Sequence, residues 1–174
     1  MGLDIRSEKY NAILHRDHRQ ELTSITCGSP RNTPKMMMWC REFPDVYKRI
    51  HKVVTLSDYV AGKITGLKGD EAFIDYTLLS FFGNEDARRL EWSQELTGAC
   101  GLDINKLPRI VDPWDIIGTL TKEASRESGL QASLPVMAGA GDQPAGLLGA
   151  GFISSGQLMD VSGMKSLQDV PGKS

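Results

Sequence analysis

Apolar and polar residues alternate along this chain in short blocks, each about as long as a single helix or strand. The clearest block spans residues 134–138 and is followed by Gly139-Ala140-Gly141 and then by Asp142. Five apolar residues in a row predict one buried strand, and the glycines permit a sharp turn or a close backbone approach. Pro144 suits the first turn of a helix, where its missing N–H is not needed. The pattern therefore predicts a strand, a tight turn and a helix that begins near Asp142.

Signals for helix ends occur in several other segments, as a hydroxyl or carboxylate cap and a C-terminal glycine. They predict helices over residues 57–66, 93–101 and 121–129. In the first of these, Val60 and Ile64 are four residues apart and should share the buried face. Thr33-Pro34 predicts a further helix, with Thr33 as its cap and the methionines that follow as flexible core filling.

Three other regions have clear apolar patterns. Phe73, Ile74, Leu78 and Phe81 follow helical spacing, which predicts a helical segment there. Residues 116–120 and 158–161 predict strands, because each is a short apolar run bounded by turn residues. Asn84 is expected to cap a polar helical stretch whose first turn contains acidic residues.

Composition narrows the possible classes of function. A chain of 174 residues suits one domain, and 40% hydrophobic residues are enough for a core. A net charge of −2 gives no reason to expect binding to nucleic acid or to a membrane. No apolar run has the length of a membrane span, and no signal peptide is visible. Cys27, Cys40 and Cys100 are widely spread, so we expect reduced thiols and a cytoplasmic location.

Asp142 is the strongest candidate for chemistry, and the local pattern allows two interpretations of it. Its carboxylate would lie at the carboxyl end of a strand, which is the usual ligand crevice of an open α/β sheet. A helix N-terminus there favours the ionised form. The side chain could therefore serve as a general base. It could equally fold back and cap its own helix, which is the commoner use of Asp at such a position.

Several segments along the chain together resemble the FGGY family of carbohydrate kinases, which includes glycerol, xylulose and gluconate kinases. One is the strand and Gly-Asp turn at Gly141-Asp142, which resembles the family's GxGD or GGxD segment. The others, in chain order, are Pro34-Lys35 with Trp39, Arg41-Glu42 and Pro44; Leu56-Ser57-Asp58-Tyr59-Val60 with Ile64-Thr65-Gly66; Asp75-Tyr76-Thr77; Gly101-Leu102 with Leu107-Pro108; Ile117-Gly118-Thr119-Leu120-Thr121; and Gly129-Leu130 before Leu134-Pro135-Val136.

The resemblance implies an α/β fold, a partial ribonuclease-H-like domain of the actin-like ATPase superfamily. The family's D-G-T phosphate hairpin and adenine domain have no counterpart among residues 1–174. We therefore expect an interior piece, with residues 1–163 forming the second half of the N-terminal, sugar-binding domain and 164–174 a polar, disordered tail. The family's GTS or GTG turn reads Ser162-Gly163-Met164 here, so its hydroxyl is missing.

The resemblance also implies transfer of the γ-phosphoryl group of ATP to a hydroxyl of a sugar or polyol. Asp142 would be the catalytic base and a substrate contact, Gln143 would bind a neighbouring hydroxyl, and Gly163 would contact the nucleotide. Asn32 and Lys35 would be neighbours of the substrate. Mg²⁺ would bridge the phosphates, with no metal ligand in this chain. The chain alone would be inactive, and its exposed apolar surface would favour a homo-oligomer. The rival class is a non-catalytic actin-like or ribonuclease-H-like module for binding or assembly.

Overall fold

The computed structural model describes residues 5–18, 22, 26 and 30–154, together with the backbone of 159–162 and 166–169. Short α-helices alternate with strands and with 3₁₀ turns along the described chain. The α-helices are α1 (Glu8–Asp17), α2 (Asn32–Glu42), α3 (Pro44–Arg49), α4 (Leu56–Thr65), α5 (Gln94–Ala99), α6 (Lys122–Ser128) and α7 (Asp142–Gly149). The helices predicted at 57–66, 93–101 and 121–129 are thus confirmed to within two residues at each end.

The strands pair two by two in the described residues. They are β1 (Phe73–Asp75), β2 (Glu85–Asp86), β3 (Glu91–Trp92), β4 (Arg109–Val111), β5 (Ile116–Thr119), β6 (Pro135–Met137), β7 (Met159–Ser162) and β8 (Ser166–Asp169). The pair β1–β4 is parallel, whereas β2–β3, β5–β6 and β7–β8 are antiparallel. Strand β8 lies within the segment 164–174 that we expected to be a disordered tail.

The helical segment predicted from Phe73 to Phe81 is wrong for its first three residues and is confirmed as helical, in 3₁₀ form, for the rest. Phe73–Asp75 forms β1, and Tyr76–Phe81 forms a 3₁₀ helix. All three residues of β1 are buried, so the strand lacks the alternation that would distinguish it from a helix. The Asp75 carboxylate accepts the Thr77 backbone N–H at 2.9 Å, and this turn ends the strand.

Strand β1 separates two hydrophobic clusters. Ile74 belongs to the larger cluster, which packs α1, α2 and α5 around the three buried methionines Met36, Met37 and Met38. Phe73 belongs to the smaller cluster, which joins Val111 of β4 to Ile117 of β5. The prediction that the methionines fill the core is confirmed.

Strand β6 confirms the strand predicted at 134–138, although it is not buried as predicted. Met137 is 54% exposed and Pro135 is also exposed. Strand β6 pairs with β5, and Val136 packs against the smaller cluster, so a single face of this ribbon is covered in the described residues. No helix in the described part of the chain has both the length and the apolar character needed to cross a lipid bilayer.

A buried polar network links α2, α5 and the turn before β2. Thr33 is not a helix cap as predicted, because Arg31 holds that position and the Thr33 side chain is fully buried. Its hydroxyl donates to the Asn84 carbonyl oxygen at 3.0 Å, and the Asn84 amide nitrogen donates to the Thr97 hydroxyl at 2.9 Å. Asn84 therefore joins two buried hydroxyls, rather than capping a helix as we predicted.

We expect Asn84→Ala to lower the free energy of unfolding by about 3 kcal/mol, because it leaves two buried hydroxyls without this partner. Urea unfolding followed by tryptophan fluorescence measures the change. Asn105→Ala is the matched control, since the amide of Asn105 is exposed and bonds to Asp103 in its own turn. Equal unfolding midpoints for Asn84→Ala and the control would contradict the prediction.

Candidate functional site

Asp142 is the first residue of α7 and is exposed. Gly141 holds the N-cap position, yet the Asp142 side chain bonds to the backbone of its own helix, as the second of the two interpretations allowed. One carboxylate oxygen, Oδ1, accepts the backbone N–H of Gln143 at 2.9 Å. The carboxylate therefore lies beside the backbone of the first turn of α7. The structure thus presents an accessible acidic group with a local partner for one oxygen.

The turn before Asp142 is bonded to the rest of the fold at two places. On the strand side, Ala138 N–H donates to the Asp115 carbonyl at 2.8 Å and Gly139 N–H donates to the Pro113 carbonyl at 2.9 Å. Gly139 has a φ of 85°, a conformation that favours glycine. On the helix side, Gly141 N–H donates to the Thr77 hydroxyl at 2.8 Å. The start of α7 is therefore positioned by contacts distant in sequence.

A buried carboxylate lies behind the helix-side contact. Asp75 is 1% exposed, and its Oδ1 accepts both the backbone N–H and the hydroxyl of Thr77. Burial raises the pKa of Asp75, and the hydrogen bonds from Thr77 partly oppose that shift. Sequence reasoning noted Asp75 and Thr77 only as part of a family segment. Both residues lie at the end of a strand, where a carboxylate followed two residues later by Thr is a recognisable turn signal.

A second buried carboxylate, Asp58, lies in the first turn of α4. Its Oδ2 accepts the Thr55 hydroxyl at 2.5 Å, while its buried Oδ1 accepts no hydrogen bond from the described residues. Burial raises the pKa of Asp58 to about 6, the Thr55 hydroxyl opposes the shift, and the nearby negative charge of Asp75 adds to it.

Val60, predicted to share the buried face of this helix, is 50% exposed.

Two cavities lie near these elements, and Asp142 lines neither of them. One, of about 220 Å³, has Asp58 and Phe73 in its wall, with Lys52, Lys63 and Lys68 among its other residues. The other, of about 370 Å³, lies beside α2. Its lining includes Asn32 and Lys35, which the resemblance suggested as neighbours of the substrate, together with Trp39 and Tyr47.

The remaining predicted site residues are less informative. Gln143 follows Asp142 in the first turn of α7 and is half-buried. Gly163, the predicted nucleotide contact, lies outside the described residues. Within the part of the chain that the structure describes, His, Cys, Asp and Glu side chains form no group of three or more that could hold a metal ion.

Comparisons with known proteins agree on one family. A family model described as the N-terminal domain of the FGGY family of carbohydrate kinases matches residues 3–149. The chain is 28% identical over 130 residues to an autoinducer-2 kinase of Klebsiella pneumoniae, covering 75% of this chain and 24% of that protein. It is 30% identical over 163 residues to a xylulose kinase of Escherichia coli, covering 85% of this chain and 33% of that protein.

Solved structures show the same similarity. A xyloylose kinase from Brucella ovis matches at a TM-score of 0.78 and 29% identity, over 90% of this chain and 32% of that one. Glycerol kinase from Plasmodium falciparum matches at a TM-score of 0.81 and 15% identity, over 95% of this chain and 33% of that one, which shows the fold alone. The predicted α/β, ribonuclease-H-like fold is confirmed. The chain spans about a quarter to a third of the length of the proteins it matches.

We expect the stability of the chain to rise as the pH falls from 7 towards 4, because Asp58 binds its proton more tightly in the folded state. Its folded pKa of about 6 exceeds the ordinary value of 3.8, so this contribution is fully present below 3.8 and is lost as the pH rises through 6. The difference between these two pKa values corresponds to a contribution on the order of 3 kcal/mol.

Asp58→Asn removes this titration, so thermal unfolding at pH 4.5 and at pH 7.5 should differ less in the variant than in the parent chain. The titration of Asp75 has the same direction and remains in both proteins. Asp45→Asn is the control, because the Asp45 side chain is 98% exposed. An unchanged difference between the two pH values in Asp58→Asn would show that Asp58 is not the group responsible.

Proposed function

Because the chain belongs to the FGGY family of carbohydrate kinases, we propose that it is part of an enzyme that transfers the γ-phosphoryl group of ATP to a hydroxyl of a sugar or polyol. In this proposal residues 1–163 form the second half of the sugar-binding N-terminal domain. The observation that carries the proposal is the exposed carboxylate of Asp142, held at the N-terminus of α7 within the segment that the family model matches.

Asp142 would accept the proton of the attacking hydroxyl as the hydroxyl oxygen forms its bond to the γ-phosphorus and ADP leaves. The exposure of Asp142 supports this role, because a general base must come within hydrogen-bond distance of the hydroxyl it deprotonates. Gln143, next in the same turn, would bind a neighbouring hydroxyl. Such chemistry depends mainly on positioning and on charge stabilisation by the protein. In this proposal Gly163 contacts the phosphates.

Mg²⁺ is part of the proposed reaction as the ion that neutralises phosphate charge. The described residues do not by themselves fit this ion, since they bring together no cluster of metal-binding side chains. The proposal therefore assigns the metal no ligand in the described part of the chain and no step of its own. The compartment proposed is the cytoplasm, and the described cysteines Cys40 and Cys100 support it because both are free thiols.

Partners of the chain are proposed from its surface. The substrate would be a small sugar or polyol together with ATP, with no nucleic acid or membrane involved. Several large apolar side chains are exposed on β5, β6, α7 and the residues around them, which supports association of this polypeptide with another apolar surface, such as a second copy. They are Trp114, Ile116, Leu134, Met137, Leu148 and Ile153.

We expect Asp142→Asn, made in the full-length kinase of which we propose this chain to be a part, to lower kcat by about 10²- to 10⁴-fold. KM for the sugar should change little, because the amide keeps the shape of the carboxylate. Asp45→Asn is the matched control, with the same chemical change on an exposed side chain. Coupled detection of ADP formation measures both constants. Wild-type kcat in Asp142→Asn would remove the base assignment.

We expect the purified 174-residue chain to bind neither substrate productively and to turn over no ATP, because it spans only a quarter to a third of its relatives' length. The same ADP assay, with a panel of ketoses and polyols, tests this. Sugar-dependent turnover by the isolated chain would contradict it. If the full-length protein also lacks activity with every sugar but is stabilised by a macromolecular partner, the binding or assembly alternative is favoured.

A further inference from the structure

One chain of hydrogen bonds connects the buried end of β1 to the residue before Asp142. Gly141 N–H donates to the Thr77 hydroxyl oxygen at 2.8 Å, and the Thr77 hydroxyl donates to the Asp75 carboxylate. The Thr77 backbone N–H donates to the same carboxylate at 2.9 Å. Thr77 therefore lies between a buried acidic group and the backbone that begins α7.

We propose that Thr77 is a positioning residue for phosphoryl transfer, which fixes through Gly141 the direction in which Asp142 presents its carboxylate. This inference rests on the proposed function, because it requires Asp142 to act as the base. Thr77 itself is not proposed to touch the substrate. Its effect is transmitted through one backbone amide, 64 residues away in sequence.

The donors and acceptors of Asp75, Thr77 and Gly141 determine which way each hydrogen bond points. The Thr77 hydroxyl donates to Asp75 Oδ1, so its proton points towards the carboxyl group. The lone pairs of the hydroxyl oxygen are then left for the Gly141 N–H. Valine has nearly the same shape as threonine but offers neither the donor nor the acceptor, and it would leave the Gly141 N–H without this partner.

Asp75, at the buried end of this series of hydrogen bonds, is held in place by the β1–β4 pair. Asp75 is the last residue of β1 and is in register with Val111 of β4, inside the parallel pair between the two clusters. Thr77 itself is half-buried in the 3₁₀ helix, but the Asp75 carboxylate that holds it is buried and in a strand. Such support matters, because small displacements of a base reduce the rate strongly. The strand side of the turn is held separately by the carbonyls of Pro113 and Asp115, so Thr77 controls the helix side.

Close packing supports a specific contact at this point. A Cβ atom at Gly141 would lie 3.0 Å from Leu78 Cδ2 and 3.4 Å from the Thr77 hydroxyl oxygen. The φ of Gly141 is −54°, which other residues also adopt, so backbone freedom does not require glycine here. The close approach of this backbone to Thr77 and Leu78 is what favours glycine at 141.

The first test measures the hydrogen bond between Gly141 N–H and the Thr77 hydroxyl in the 174-residue chain. We expect the Gly141 amide to exchange with solvent about tenfold faster in Thr77→Val, as measured by nuclear magnetic resonance, because a net hydrogen bond is lost. Thr77→Ser should keep the parent rate. Thr65→Val is the matched control, since the Thr65 hydroxyl donates to the Ala61 carbonyl within α4 and does not reach Gly141. An unchanged exchange rate of the Gly141 amide in Thr77→Val would show that the Thr77 hydroxyl does not hold this amide, and the proposal would fail.

The second test separates positioning from a structural role, using the full-length kinase. We expect Thr77→Val to lower kcat by about ten- to a hundredfold, with little change in KM, and Thr77→Ser to restore kcat. If Thr77→Val does not fold, Gly141→Ala is the second variant, because its Cβ pushes the same two groups apart and should give the same loss of kcat.

The outcomes distinguish this inference from the proposed function. If Asp142→Asn is inactive while Thr77→Val and Gly141→Ala keep wild-type kcat, the positioning role is wrong and the base assignment stands. If the wild-type full-length protein phosphorylates no sugar or polyol, the proposed function and the catalytic role of Thr77 both fail. A loss of stability in Thr77→Val without a change in kcat would show that Thr77 serves only to end β1.

Discussion

The parallel pairing of β1 with β4 is the constraint on which the rest of this structure depends. Strand β1 is three residues long, yet Phe73 packs into the smaller hydrophobic cluster and Ile74 into the larger one. Because side chains alternate across a strand, a single short segment can join two cores in this way. The third residue, Asp75, places a carboxylate at the end of the pair, where the chain turns towards the site.

Buried polar groups connect helices and strands whose relative positions apolar packing alone would not determine. Asn84 links two helices through two hydroxyls, and the Asp75 carboxylate reaches the start of α7 through Thr77. A buried polar group without a partner costs free energy, so each such contact selects one register of the packed elements. Asp58 is one exception among the described residues, since its buried Oδ1 accepts no hydrogen bond. Burial of this carboxylate is the main cause of its raised pKa.

The candidate site combines a local feature with a distant one. The glycines and the helix start around Asp142 are encoded in neighbouring residues, and they place the carboxylate at a helix N-terminus. The orientation of that helix depends on bonds to Thr77 and to the 113–115 loop. In this arrangement the Asp142 carboxylate is exposed, while the Asp75 carboxylate to which Thr77 is bonded is buried. Accessibility at the helix start and support from the core are therefore provided by different residues.

The sequence by itself determined the family, the fold class and most helix boundaries, because caps, glycine ends and the Gly-Asp turn act over a few residues. Gly66 and Gly129 end their helices in the left-handed conformation, as local steric rules predict. Only the tertiary structure decided that 73–75 is a strand, that Asn84 and Thr33 are bonded in the core, and that Thr77 reaches Gly141. These features arise from contacts between residues far apart in sequence, and hydrophobic periodicity carries no information about which distant groups will meet.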